Sequence, residues 1–217
     1  MDSKDEIENS LDPRYSVDLG TRFLTSCETG NTYTVLESLY LGVDINQRNS
    51  KEESGLILAV KNNHEEVLDI LLEMSDLKIN LQDKEGDTAL SHSTCSGKLK
   101  MTQKLLEHRD IDINLADRDG VPPLHKAVAS THFTLTKLML EREDLNVNAK
   151  SKYGFTALIL AAGLGKIEFV ELLLGRTDIE VNHVEGNNCS ALMIACMHGY
   201  VQGIRALSLP AIRTNFS

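Results

Sequence analysis

The stretch Gly154-Phe155-Thr156-Ala157-Leu158-Ile159-Leu160-Ala161-Ala162-Gly163 decides the fold, because weaker copies of it stand in phase along the chain. Upstream lie Pro122-Pro123-Leu124-His125-Lys126-Ala127 and Gly86-Asp87-Thr88-Ala89-Leu90. Leu158 belongs to the series Leu56, Leu90, Leu124, Leu158 and Leu192, whose members are 34 residues apart. A second series, Asn46, Asn80, Asn114, Asn148 and Asn182, keeps the same step, each member preceded by Ile or Val and placed ten residues before the next marker Leu. Two registers in phase identify a tandem repeat. Backwards, Phe23 lies 33 residues before Leu56; forwards, Asn215 follows Ile212-Arg213-Thr214 and closes a last unit. Six units result, at 21–48, 49–82, 83–116, 117–150, 151–184 and 185–217, after an acidic segment 1–20 that holds six acidic and two basic residues and is read as a mobile tail.

Within a unit the marker is followed three residues later by a small side chain: Ser26, Ala59, Ser93, Ala127, Ala161 or Ala195. Apolar residues then return at helical spacing, as in Ile167, Val170, Leu173 and Leu174. The break between the two runs carries Gly30, Gly97, Gly165 and Gly199, suited to a turn with positive φ, with Asn63 and Thr131 in the other two units. Ser54, Thr88, Thr156 and Ser190 stand where a hydroxyl caps the first helix, and Pro122 takes that place in the fourth unit. Asp83-Lys84-Glu85-Gly86 and Asp117-Arg118-Asp119-Gly120 predict tight turns. Each unit is therefore helix, turn, helix and a finger-like loop.

These residues resemble the ankyrin-repeat core Gly-x-Thr-Pro-Leu-His-x-Ala-Ala, over about nine tenths of the chain. The resemblance implies an all-α ankyrin-repeat solenoid in which neighbouring units share one core. It implies that His125, in the family's histidine place, bonds between repeats. It further implies that Asn46 and Asn114, each preceded by Asp-Ile, are candidates for asparaginyl hydroxylation. The surface used by such arrays is the concave face of finger tips and first-helix ends, so the candidate partner-binding residues are Val121, Ala129, Ser130, Tyr153, Phe155, Leu164, Met197 and His198. In this group the fingers and helix ends turn from polar to apolar, as expected of a protein-binding patch.

The 217 residues, 24.0 kDa, are 41% hydrophobic and 25% charged, within the range of folded globular chains. A net charge of −10 disfavours nucleic acid and anionic membrane as partners, and no apolar run reaches the length of a bilayer span. With no secretory signal in Met1 to Glu6, the expected compartment is intracellular, cytoplasmic or nuclear. Of the four cysteines, Cys27 and Cys196 share a small core place, while Cys95 and Cys189 lie three units apart; no Cys-x-x-Cys pair exists, so no metal is expected. Neither a catalytic triad nor a phosphate-binding loop can be assigned, which predicts a non-enzymatic chain without cofactor.

The expected function is binding of another protein as inhibitor, adaptor or scaffold. The alternative is a regulatory subunit, or a fragment, of an ankyrin-containing enzyme or larger complex. Two further expectations concern stability. In the third unit His92, Thr102 and Lys104 replace apolar residues, which should soften the array there. In the last unit Ile204, Leu207 and Leu209 are read as exposed, leaving the chain monomeric unless a partner caps that end.

Overall fold

The computed structural model describes the backbone of residues 18–214 and the side chains of residues 18–208. The acidic segment to residue 17 and Asn215 lie outside the described residues. Twelve helices and no extended strand are found among the described residues, an all-α repeat architecture. Isolated antiparallel bridges, Arg48 with Ser54 and Val184 with Ser190, occur only at finger bases. The chain divides into two compact units, 1–78 and 79–217.

The first unit holds α1 (Leu19–Thr29), α2 (Thr32–Tyr40), α3 (Gly55–Lys61) and α4 (Glu65–Leu72). α1 packs on α2 and α3, and α4 packs on α3 and α2. Phe23, Cys27, Val35, Ala59, Val67 and Leu71 are fully buried at these contacts. Each large apolar side chain taken from water contributes about 1.5–3 kcal/mol. Burial also pushes the Cys27 thiol up to about 12.

The second unit holds four pairs: α5 (Ala89–Cys95) with α6 (Leu99–Glu107), α7 (Pro123–Ala129) with α8 (Phe133–Leu140), α9 (Ala157–Gly163) with α10 (Ile167–Leu174), and α11 (Ala191–Met197) with α12 (Val201–Thr214). First helices α5, α7, α9 and α11 stack in one row, and second helices α6, α8, α10 and α12 in another. The marker residues Leu90, Leu124 and Leu158 and the small residues Ser93, Ala127, Ala161 and Ala195 are all buried between the rows. Small side chains there let successive helices approach closely. Phe133 and Phe169 meet edge to face across α8 and α10, ring centroids 5.5 Å apart.

The local signals act as the sequence indicates. Ser54, Thr88, Thr156 and Ser190 accept from the backbone N–H three residues on, at 3.1 to 3.3 Å. Gly30, Gly97, Gly165 and Gly199 have φ of 77, 70, 65 and 70°, and Asn63 and Thr131 adopt the same left-handed turn at 64 and 61°. Gly175 ends α10 at φ −67°, so the 34-residue units turn into the finger with ordinary backbone angles.

The finger asparagines lock each repeat to the next. Asn114 donates through Nδ2 to the Asp144 carbonyl at 2.7 Å and accepts through Oδ1 from the Asn146 N–H at 2.7 Å. Asn80 and Asn148 repeat this pattern in the second unit, as Asn46 does in the first with Asp76 and Lys78. Arginines add staples in the later repeats. Arg176 donates to the carbonyls of Leu140 and Arg142 at 2.9 Å while its guanidinium holds Asp178.

Three expectations change. Cys196 is exposed rather than a core residue, because nothing among the described residues covers the outward side of α11. Leu207 is fully buried and Ile204 half-buried, since α12 turns them toward the preceding pair, while the Leu209 side chain lies outside the described residues. Ile212-Arg213-Thr214 belong to α12, which continues to Thr214, and not to a finger.

Candidate partner-binding face

The side of the first helices that looks toward the fingers is fixed by ion pairs in the second unit. Lys126, in α7, reaches Asp117 at 2.7 Å and also Asp87, so it ties two consecutive fingers together. One repeat earlier, His92 Nε2 lies 2.7 Å from Asp83 Oδ2. Residues three and four positions further along a helix share this face, which places Cys95 and Ser96, Ala129 and Ser130, Gly163 and Leu164, and Met197 and His198 along it. Cys95 Sγ and Ser130 Oγ, 3.8 Å apart, show that successive repeats meet there.

The acids of this face have their charges fixed from within. Asp83 Oδ1 and Asp117 Oδ1 each accept two backbone N–H bonds of their own finger turns, at 2.9 to 3.1 Å. Burial raises both carboxyls, but the bonds from His92 and Lys126 and from these amides outweigh it, leaving both below the usual carboxylate range. Burial lowers the Lys126 ammonium, and its bonds to Asp117 and Asp87 reverse the effect, leaving it raised. Asp83, Asp87 and His92 bring potential metal-ligating atoms within 4.8 Å of one another. Asp83 Oδ2 faces His92 and Asp87 Oδ1 faces Lys126, so these oxygens are already engaged by the protein's own side chains.

Apolar character enters toward the fifth and sixth repeats. Tyr153 is 63% exposed, Leu164 44% and Met197 73%. Ala129 and His198 are exposed as well, and Ser130 is half-buried. Val121 and Phe155 are half-buried, and the Phe155 carbonyl accepts from His125 Nε2 at 2.9 Å. That is the inter-repeat bond implied for His125. Phe155 therefore contributes as much to packing between fingers as to the surface.

Tyr153 and Phe155 line a cleft of about 650 Å3 between the last two fingers, with Lys152, His183, Val184 and Asn187 on its walls. His183 Nε2 bonds the Gly154 carbonyl at 3.1 Å and the Gly186 N–H donates to the Tyr153 carbonyl at 3.1 Å, so the floor is rigid. Lys152 lies over the Tyr153 ring, 5.1 Å from its centroid, while pairing with Asp119. The lining comes from the fingers alone; Ala129, Ser130, Leu164, Met197 and His198 form a separate row at the first-helix ends. Lys152, Val184 and Asn187 were not singled out from the sequence. Val184 could have been found by register, since Arg48, Gln82 and Lys150 hold the same finger position and only the smaller Ala116 is also apolar there.

Asn46 and Asn114, the hydroxylation candidates, are half-buried with both amide atoms engaged in the ladder described above. An enzyme acting on either must first draw that finger out of its bonds.

No helix among the described residues is long and apolar enough to cross a membrane. No curated protein matches the chain. The crystal structure of an ankyrin repeat protein, EF0377, matches with a TM-score of 0.80 at 25% identity, over 87% of this chain and 97% of that one. In all, 565 solved chains match, so the fold by itself selects no partner. A family model described as ankyrin repeats in three copies matches residues 23–117 and again 124–215. With helix pairs, capped first helices and finger ladder all in register with those matches, the chain belongs to the ankyrin-repeat family.

Proposed function

We propose that this chain is a non-enzymatic interaction module that binds another protein through the finger-side face of its second unit, as an inhibitor, adaptor or scaffold. Ankyrin repeats are generally protein–protein interaction modules, and their fold is typically non-enzymatic. The observation that carries the reading is the exposure of Tyr153 on a finger and of Leu164 and Met197 at the first-helix ends, where the polar side chains of the preceding repeats are engaged with one another. Aromatic and methionine side chains on a preformed surface lose little freedom on association and exclude water well. The remaining contributors are Val121, Ala129, Ser130, Phe155 and His198. Hydroxylation of Asn46 or Asn114 would modify a finger joint rather than this face; a one-oxygen mass increase on the corresponding peptide would reveal it.

The test is affinity capture from lysate with the wild-type chain beside a Tyr153→Ala, Leu164→Ala, Met197→Ala variant, followed by titration of the captured protein in purified form. These three side chains are exposed, so helicity and melting temperature should not change. A partner whose Kd rises at least tenfold for the variant supports the reading. A partner bound equally by both places the interface elsewhere.

A further inference from the structure

We propose that the cleft between the last two fingers takes an arginine side chain of the partner protein, with Glu185 as the receiving carboxylate. The inference rests on the partner-binding reading of this face and names what the partner presents there. Register singles Glu185 out. Its position is that of Asn49, Asp83, Asp117 and Ser151, and the first-helix residues nine further on are Leu58, His92, Lys126, Leu160 and, for Glu185, Ile194. Asp83 and Asp117 each meet the basic side chain at that place, while Asn49 and Ser151 are uncharged and stand with a leucine. Glu185 departs from both patterns, a carboxylate set with an aliphatic residue. It is 6% exposed, and among the described residues no cation pairs with it. Its Oε2 accepts from the Asn187 N–H at 2.9 Å and its Oε1 from the Cys189 N–H at 3.3 Å. Each carboxylate oxygen can accept two bonds, so one place on each stays open. The amides hold the head still, and a buried charge that is held but unpaired favours a cation able to reach it. His92 and Lys126 come from the same repeat as the aspartates they serve, so the missing cation is a property of the sixth repeat's own sequence.

The cleft supplies the rest of what a guanidinium needs. Glu185 lines it together with Tyr153, Val184 and Asn187. Tyr153, 63% exposed, offers a ring on which a planar guanidinium stacks, and the exposed Val184 offers apolar surface to the methylene stem. Lys152, over the Tyr153 ring, pairs with Asp119 and leaves Glu185 unanswered. Arginine is favoured over lysine because its fork meets both carboxylate oxygens at once and its plane stacks on the aromatic ring. At about 650 Å3 the cleft has room for more than one side chain, so residues flanking the arginine enter with it. The net charge of −10 draws basic segments toward the chain from a distance.

The test uses the full chain and a probe that carries only the side chain in question. Nα-acetyl-arginine methylamide is titrated into isotope-labelled protein to about 50 mM at constant ionic strength, a range that covers millimolar Kd values, with the uncharged citrulline derivative beside it. Saturable shifts of the backbone amides in 152–155 and 183–189 are expected with arginine, and at least tenfold weaker binding with citrulline. Glu185→Gln should weaken arginine binding at least tenfold. If that substitution disturbs the finger turn, Ile194→Lys serves instead: it keeps Glu185, supplies from within the cation that Lys126 supplies in the fourth repeat, and should weaken arginine binding as much. The proposal is overturned by an arginine derivative that shifts none of these amides, by citrulline binding equally well, or by arginine binding that both variants leave intact. The capture experiment keeps the two readings apart. A partner lost by the Tyr153, Leu164 and Met197 variant from a chain that does not bind arginine overturns this inference alone. Arginine binding in the absence of any such partner supports the chemistry of the cleft and fails the partner reading instead.

Discussion

Replacing Gly97 by alanine tests what the turn glycines do beyond tolerating positive φ. Gly97 sits at φ 70°, and a Cβ built there would lie 2.5 Å from Cε1 of His132 and 2.8 and 2.9 Å from its ring nitrogens. The ring is placed by its bond from Nε2 to the Cys95 carbonyl, 3.1 Å, which satisfies an acceptor at the end of α5. The same arrangement recurs with Gly30 under the ring of His64, whose Nε2 bonds the Glu28 carbonyl at 2.9 Å, and with Gly165 under the ring of Tyr200. Where the turn residue has a side chain, the follower is different: Thr131 is succeeded at this place by Lys166, a flexible chain without a ring. Glycine and ring therefore form one device, and threonine and lysine another.

The magnitude divides accordingly. Holding alanine in the left-handed region costs roughly 1–2 kcal/mol, of which 0.4–1 returns through the stiffer unfolded chain. Displacing the ring forfeits the carbonyl bond, about 1 kcal/mol, and forces an off-rotamer imidazole, about another 1. Gly97→Ala should thus lose about 2–3 kcal/mol in the wild-type background and only about 1 in a His132→Lys background. Equilibrium urea unfolding of the four chains of this cycle gives the coupling directly. An equal loss in both backgrounds would refute the reasoning, leaving backbone angle as the whole reason for glycine.

Asn114→Ala removes both joints to the following finger and should destabilise the chain by about 2 kcal/mol, with the Asn146 amide exchanging faster in hydrogen-exchange mass spectrometry. Ser91→Ala should stabilise by about 1 kcal/mol, because the Ser91 hydroxyl is buried without a hydrogen-bond partner; a loss in thermal melts would show that the hydroxyl is satisfied after all. Burial holds the His125 imidazole below the ordinary histidine value of about 6.5, against the opposing Phe155 bond and Asp117 charge, so its contribution is complete above that pH and is lost as pH falls through 6.5 toward the folded value. His125→Gln should flatten this limb of a stability-pH profile, while the losses from Asp83 and Asp117, whose carboxyls are depressed, begin only below about pH 4. Native thiol titration should modify Cys95 and Cys196 promptly and Cys27 only on unfolding, its thiol being buried and raised to about 12.

How far the sequence carries depends on what each residue must answer. Thr88 and Thr156 cap helices, and Gly97 and Gly165 turn the chain, because those roles are settled within a few residues of backbone; the sequence reveals them and the structure repeats them. His64 and His132 each follow a turn residue, where the local sequence gives them no partner, yet each bonds a carbonyl 36 or 37 residues earlier, which only the stacked repeat brings near. The third unit shows the same limit. Thr102 takes the place of Leu68 and Val170, as Thr136 does in the fourth unit, and its hydroxyl donates to Ser93 Oγ at 3.0 Å, while His92 faces Asp83, so two of the three residues read as softening the unit find polar partners inside it. Ser91 alone among its buried hydroxyls is left over.

The same distinction governs the surface. Register states which way a side chain points, and Tyr153, Leu164 and Met197 are exposed because their direction follows from helix and finger geometry. It does not state whether anything lies over that direction. Phe155 points with Tyr153 toward the finger surface but is half-buried, whereas Cys196 shares its register with the buried Ala162 and Val128 and is exposed. Identical positions in a repeat thus become core or surface according to the neighbour alone. For that reason the junctions between fingers are where binding has to be sought by measurement of exposure, and where substitutions separate binding from stability most cleanly.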